Sequence, residues 1–433
     1  MNAITFFAGT SARRIFVSAS LALSSMTSSA WAETAPADGS ALKPHLIVSD
    51  LMLENLNTGP RPHTFANAGV IFAGADVDMS KLLGLTGGTF QFEYTFFPWM
   101  RNEGQPTANA WQGAVGSGLG GAPMHNDIDS GYLSTFQYRQ MLLDDHLEVD
   151  VGRSNAKQHF YMMNCANWVT CNDPIIENTT GILPYPYGSW SAYSRYSFDN
   201  GQYVHGGAFE SNPAHYIKHT KGWNWDPGDA SGITWLAGVG DQKSYAQTPL
   251  AYHYELNGFY NSSEQTDVLD GSTRRGSSGL IFRFMQTLSR EGSSATGAPD
   301  NAWQVFGAWT WSADDLQPFE HFVEAGVTRV GPFGRPQDSV SLKASYLRLG
   351  DKQVQYQHDQ RLRSTGVDQG MSRGESRLEL NMVWQATHYL SFQPSVQYIF
   401  NPSNFYNSQA EVSSNGAVVG LQVVYDLGSQ LGL

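Results

Sequence analysis

From Thr89 to Phe97 the chain reads Thr-Phe-Gln-Phe-Glu-Tyr-Thr-Phe-Phe, which sets Phe90, Phe92, Tyr94 and Phe96 on one side of an extended segment and Gln91, Glu93 and Thr95 on the other. Leu147, Val149 and Val151 alternate in the same way with His146, Glu148 and Asp150. Leu378, Leu380, Met382 and Trp384 alternate with Arg377, Glu379 and Asn381, and Leu390, Phe392, Val396 and Tyr398 with Ser391, Gln393, Ser395 and Gln397. Ala417, Val419, Leu421, Val423, Tyr425 and Leu427 line one side of a long final segment. A helix returns its apolar residues every three or four positions, so this period of two predicts strands. About sixteen such segments can be marked, at 45–56, 68–78, 89–98, 131–141, 146–153, 190–198, 202–211, 232–241, 250–260, 279–289, 302–311, 318–329, 339–349, 375–387, 389–399 and 416–427.

The connections differ by parity. The second, fourth, sixth and fourteenth are short, around Leu82-Leu83-Gly84, Asp144-Asp145, Asp199-Asn200-Gly201 and Thr387-His388. Several odd-numbered ones are long: 99–130, 154–189, 212–231, 261–278 and 350–374. Short turns on one rim and long loops on the other are the signature of a transmembrane antiparallel up-and-down β-barrel, all-β, with both termini at the short-turn rim. Phe97, Trp99, Trp190, Trp309, Trp311, Tyr389 and Phe400 recur near segment ends, where amphipathic rings would form two interfacial girdles.

The N-terminus supplies an address. Arg13 and Arg14 precede an apolar run, Ile15 to Leu23, and Ala30-Trp31-Ala32 is an A-x-A cleavage site. Residues 1–32 read as a signal peptide cut between Ala32 and Glu33, with 33–433 as the barrel domain. Losing Arg13 and Arg14 and no acid takes the formal charge from −13 to −15. Beyond Ala32 no run approaches the roughly 18 apolar residues of a spanning helix.

Composition fits. Charged residues make up 15% of the 433, below the roughly 25% of soluble domains, while aromatics reach 13% and there are 44 glycines. With 26 Lys+Arg against 39 Asp+Glu, a nucleic-acid partner held by phosphate neutralisation is excluded. Two cysteines exclude a multi-cysteine metal array. Gly116-Ser117-Gly118-Leu119-Gly120-Gly121 matches G-x-G-x-x-G formally, but no buried strand precedes it and no helix follows. Asp127-Ile128-Asp129-Ser130-Gly131 is only a fragment of a calcium loop.

A barrel this wide encloses a lumen, lined by the polar half of each alternation. Those positions include Glu93, Gln137, Arg139, Glu148, Asp150, Arg195, Glu210, His253, Glu255, Asn257 and Arg283, then Glu320, Glu324, Lys343, Arg377, Glu379, Gln393 and Gln397. Both signs are present, which suits neutral, hydroxyl-rich solutes better than a single-sign field does. The 154–189 connection is aromatic, carries Pro174, Pro184 and Pro186, and holds both cysteines. Cys165 and Cys171, six residues apart in an oxidising compartment, are expected to form a local disulfide. If this loop folds inward, Arg153, Trp168, Trp190 and Arg195 are the constriction candidates, with Glu93, Arg139, Glu210 and Arg283 beside them.

The segment Ala73-Gly-Ala-Asp-Val-Asp-Met-Ser-Lys-Leu-Leu-Gly-Leu-Thr-Gly-Gly-Thr-Phe90 resembles the N-terminal signature of the carbohydrate-selective porins of the OprB type. Leu147–Arg153, Val330-Gly-Pro-Phe-Gly-Arg-Pro-Gln-Asp338 and Phe392–Tyr398 followed by Asn401-Pro402 are similar to further blocks of that family. The chain departs from it in ending on Leu433 rather than an aromatic, and in its cysteine loop. The resemblance implies a sixteen-stranded outer-membrane barrel that passes monosaccharides by diffusion. Outer-membrane lipid, lipopolysaccharide and small sugars are then the expected partners, without cofactor or metal, as a monomer or a trimer. Acidic sugars and quinate-like compounds are alternative solutes. An outer-membrane barrel hydrolase and a soluble lectin-like protein are the competing classes.

Overall fold

The computed structural model describes residues 40–102, 108–121, 130–160, 165–167, 170–171, 175–212, 218–292 and 299–433. The expected signal peptide and its Ala32–Glu33 junction, Trp168, and most of the Asp127–Gly131 fragment lie outside the described residues.

Sixteen strands close into one antiparallel barrel. They are β1 (Leu42–Asn55), β2 (Phe65–Asp78), β3 (Gly88–Asn102), β4 (Gly131–Leu142), β5 (Leu147–Ser154), β6 (Ser189–Ser197), β7 (Gln202–Ser211) and β8 (Gly232–Lys243). The second half comprises β9 (Tyr252–Thr266), β10 (Thr273–Glu291), β11 (Asn301–Ser312), β12 (Phe319–Val330), β13 (Ser339–Leu349), β14 (Gly374–Gln385), β15 (Leu390–Phe400) and β16 (Gly416–Asp426). Each pairs with its chain neighbours, and β1 closes on β16 from Ile47↔Asp426 to Asn55↔Val418.

The alternation sorts the two faces in the reverse sense of a soluble protein. Leu380 is 51% exposed while its neighbour Glu379 is 0% exposed. Leu342, Val396, Trp235 and Val239 are exposed likewise, and Lys343, Gln397, Thr234 and Arg283 are buried. A wall with apolar residues outside and charges inside is stable only where the outer solvent is lipid. There, a Lys or Arg at mid-depth on the outer face would cost about 2–4 kcal/mol.

Connections three to eight and thirteen to fifteen alternate long and short as the loop parity predicts, while the others all run six to nine residues, and three expectations are corrected. First, the ninth connection is not long. β9 and β10 continue pairing to Thr266↔Thr273, leaving only 267–272 as a turn. Residues 261–266 and 273–278 are polar on both faces. They therefore lack the period-two signal, although their ladder hydrogen bonds persist beyond the apolar belt. Second, Leu427 does not extend the last strand. The Asp426 carboxylate accepts from the Ser429 N–H at 2.9 Å and caps a short helix, Leu427–Leu431, that folds over β1. Third, Phe97 is no girdle residue, because strict alternation from the exposed Phe96 turns it inward onto Tyr187, 6.4 Å between ring centroids.

The topology predicts which side each turn faces. In a chain whose own cysteines are paired, Ser272→Cys at the β9–β10 tip should react with an impermeant maleimide on intact cells. Asn200→Cys, in the β6–β7 turn, should react only after permeabilisation. The reverse pattern would invert the barrel.

Candidate functional site

The described residues of the 155–188 connection, between β5 and β6, make contacts on both sides of the lumen. At its root, the Asn155 amide donates to the carbonyls of Leu183 (2.9 Å) and Tyr187 (2.8 Å), tying both arms together. A short helix α1 (Lys157–Phe160) packs Phe160 among Tyr193, His205 and Phe209 of the β6–β7 wall. A second, α2 (Ile175–Thr180), runs along β9, β10 and β12, and Lys157 pairs with its Glu177.

The tip carries the Cys165–Cys171 disulfide, with Cα atoms 5.2 Å apart. It packs on Phe306 and Met285. The Thr170 carbonyl accepts from Lys343 of β13, and the Asn381 amide of β14 donates to Thr170 Oγ1 at 3.2 Å. The Asn167 amide reaches the Gln393 carbonyl of β15 at 3.5 Å. In the ring of sixteen strands β13 stands opposite β5. The loop is therefore a strut pinned at both walls.

Behind the strut the lumen wall is sealed. Lys343 lies 3.1 Å from Glu324 and 3.8 Å from Glu379, and Arg377 lies 3.4 Å from Glu324 and 3.6 Å from Glu379. All four are buried. The glycine-rich loop 116–121 explains itself here: Ser117 Oγ and the N–H groups of Gly118 (3.2 Å) and Leu119 (3.1 Å) donate to the Glu375 carboxylate. The backbone amides that a phosphate loop would offer its ligand are taken by a wall side chain. Arg377 in turn donates to the Leu119 carbonyl.

Among the described residues, several lumen charges of β1–β5 keep more exposure than those of β11–β15. The β1–β5 charges are set in opposed pairs. Arg139, 30% exposed, is bound by Asp150 (2.8 Å) and Glu148 (2.9 Å), and His45 by Glu93 (3.3 Å). A row of amides and a carboxylate continues the surface, Gln137 to Gln91 at 2.7 Å and Gln91 to Asp76 at 3.3 Å. From the strut, Tyr185 stacks on Phe72 at 5.8 Å and borders Glu93. Burial first, and the Glu93 carboxylate second, push the Tyr185 phenol well above its ordinary value, so it stays a neutral donor. His159 of α1 stacks on Tyr193 at 4.1 Å, and burial lowers its pKa to about 4 against the opposing pull of Asp150. It is a neutral imidazole at any ordinary pH.

The adjoining β6–β10 wall holds a closed polar network. The Arg195 guanidinium lies 3.7 Å over the Tyr203 ring, whose hydroxyl donates to Glu255 at 2.5 Å and sits 2.6 Å from His253. Asn257 links His205 (2.8 Å) to Glu255 (2.6 Å). Arg283 lies across the ladder from Glu255 and is wholly buried.

Of the residues expected at a constriction, Glu93, Arg139, Arg195 and Arg283 thus face the lumen, while Arg153, Trp190 and Glu210 do not. Above the rung Phe136↔Arg153, β4 and β5 part. Arg153 fills that gap with 0% exposure, donating to the carbonyls of Asn224 (2.7 Å) and Gly188 (2.9 Å) and to the Tyr132 hydroxyl (3.2 Å). Trp190 lies on the outer face against Trp225, 5.0 Å between centroids. Glu210 shares its side of β7 with the exposed Val204, opposite His205 and Phe209. Asn224 and Trp225, from the connection after β7, lie over this outer face, which parity alone does not reveal. Glu320 is displaced too: a register shift beside Phe319 takes it to Arg348 at 2.8 Å, both about a third exposed. Sequence reasoning missed His45, Tyr185 and Tyr203. Parity would have found His45 and Tyr203, but nothing local marks Tyr185.

The match of this architecture to known proteins is broad. The carbohydrate-selective porin, OprB family profile covers residues 62–426. A putative porin, QuiX, from Acinetobacter baylyi is 22% identical over 79% of this chain and 80% of its own length. The high-pH structure of Pseudomonas putida OprB superposes with a TM-score of 0.73 at 19% identity, covering 89% of this chain and 94% of that one. The low-pH structure of that protein gives 0.52 at 16% identity, covering 89% and 92%. A closed sixteen-strand wall, apolar outside and charged inside, with a family match along nearly all of it, places this chain in the OprB family of carbohydrate-selective porins of the bacterial outer membrane.

Proposed function

We propose that the chain admits monosaccharides and related small polyols to the periplasm by diffusion along the β1–β5 side of the strut. The observation that carries this is Arg139, held between Glu148 and Asp150 and still 30% exposed. A sugar presents adjacent hydroxyls that both donate and accept. Fixed guanidinium–carboxylate pairs and a row of amides answer both roles, whereas a single-sign ring would favour ions. Such contacts must stay weak, since tight binding slows exit as much as it aids entry. Arg139 is more exposed than its carboxylate partners (30% against 18% and 2%), which favours a second reading: acidic polyols of the quinate type.

Single-channel recordings with a panel of sugars separate these readings. A hydrogen bond to a charged group contributes about 1.5–3 kcal/mol, and about 1.4 kcal/mol is one decade. Arg139→Ala should therefore weaken sugar block of the ion current by about tenfold and raise cation selectivity. Arg153→Ala, in the wall gap, should change neither. Equal effects from the two would overturn the assignment, and stronger block by quinate than by glucose in the unmodified chain would select the second reading.

The strut makes its own prediction. Denatured, unreduced protein should contain no free thiol. Replacing Cys165 and Cys171 by Ser should free the tip, raise conductance and relax size exclusion among oligosaccharides, with the barrel still heat-modifiable on gels. Lys343→Met should do the same and also destabilise the barrel by about 3 kcal/mol, because it leaves two buried carboxylates sharing the single cation Arg377. Unchanged conductance in both variants would show that the tip does not set the passage.

A further inference from the structure

The Val330–Asp338 block, one of the segments by which the chain resembles its family, takes no part in the lumen. It forms the turn between β12 and β13 on the short-turn rim. Gly331, Phe333 and Gly334 all adopt left-handed backbone, with φ of 68°, 61° and 71°. At Gly331 space enforces the choice, because a Cβ there would run into the Asp300 carbonyl. Phe333 has no such freedom, and a left-handed bulky residue is held only where its surroundings over-determine it. The outcome is a phenyl ring 84% exposed at the edge of the lipid-facing wall.

From that ring an open groove of about 550 Å³ runs up the outer wall, lined by Met382, Trp384, Phe392, Pro394 and Leu421. Pro394 makes the notch. It has no N–H to give, and the β14–β15 ladder passes from Asn381↔Ser395 to Trp384↔Phe392 with no rung between. Trp384 and Phe392 stack at 5.4 Å along its floor. At the rim end sits Arg335. Its Nε donates to Asp338 and its Nη2 to the Gln385 carbonyl, each at 2.6 Å, which locks the guanidinium in place. The Asp338 carboxylate is buried and accepts a further bond from the Gln385 N–H at 2.9 Å, while the Arg335 side chain is 48% exposed. What the groove shows the membrane is therefore an apolar trough with a cation at its aqueous end. Among the described residues none accepts from Nη1.

We propose that this groove is a phospholipid site in the periplasmic leaflet. One acyl chain lies in the trough with Phe333 as its rim, and the lipid phosphate accepts from Nη1 of Arg335. A phosphate matches a fixed guanidinium edge in charge and geometry, and the trough faces hydrocarbon, which only a lipid tail occupies there. The reading is independent of which solute the lumen passes.

Native mass spectrometry of the detergent-solubilised barrel tests it, with dioleoylphosphatidylglycerol titrated against dioleoylglycerol of the same chains. One phosphatidylglycerol should be retained at a concentration about tenfold below that needed for the phosphate-free lipid, about one decade for one charged contact. Arg335→Gln should abolish that difference, and Phe333→Ala should weaken retention of both lipids. Inorganic phosphate in millimolar excess should not compete. Retention by Arg335→Gln equal to that of the unmodified chain would overturn the proposal, as would tighter retention of lipid A or displacement by free phosphate. Should Arg335→Gln fail to assemble, Phe333→Ala decides alone, since its exposed ring supports nothing else: undiminished retention there overturns the site.

Discussion

In hydrocarbon every backbone N–H and C=O must find its partner inside the protein, and in this chain the β1–β16 pairing is what satisfies that demand. Without it two strand edges would lie open to lipid, and no amount of side-chain packing would compensate them. Closure also fixes everything downstream. It commits each strand to one tilt and one register, so that a shift by a single residue would carry Glu379, Lys343 and Glu324 to the lipid side and Leu380 and Leu342 to the lumen. The charges inside are thus held in place by the chain's need to bury backbone, before any of them acts on a solute.

A sixteen-strand wall encloses more space than its own side chains can fill, and the chain spends its long connections on that space. The division is uneven. On β11–β15 the loops press close enough to bury Lys343, Arg377, Glu324 and Glu379, and these pair with one another and with loop carbonyls. On β1–β5 the same kinds of residue keep part of their hydration, as Arg139 and His45 do. Identical chemistry serves adhesion on one side and leaves partly exposed ion pairs on the other, and burial decides which.

This division also marks the limit of what the sequence reveals. All sixteen strands are legible, because period two is enforced twice over, by lipid outside and water or polar loops inside. Arg139, Glu93, Arg195 and Arg283 are legible as lumen residues for the same reason. Where the ladder is interrupted, parity fails: Glu320 leaves the lumen at a register shift, and Arg153 occupies a gap where β4 and β5 separate. Loops fail differently. That 155–188 is stiff can be read from its prolines and cysteines, but that its tip meets Lys343, Asn381 and Gln393 on the opposite wall depends on contacts some two hundred residues away in sequence.

Lys343 shows why such contacts hold. A lone ammonium with no exposure would be untenable, and so would Glu324 and Glu379 beside it. The two wall carboxylates neutralise the ammonium but engage at most two of its three N–H groups, and a third is left to donate to the Thr170 carbonyl of the strut. The carbonyl has no hydrated alternative once the disulfide knuckle is seated among Phe306 and Met285. Both partners therefore lose more by parting than the bond itself is worth, the asymmetry that makes buried hydrogen bonds costly to break. A loop anchored in this way behaves as part of the wall. The position of its tip is then set by the fold rather than by loop motion.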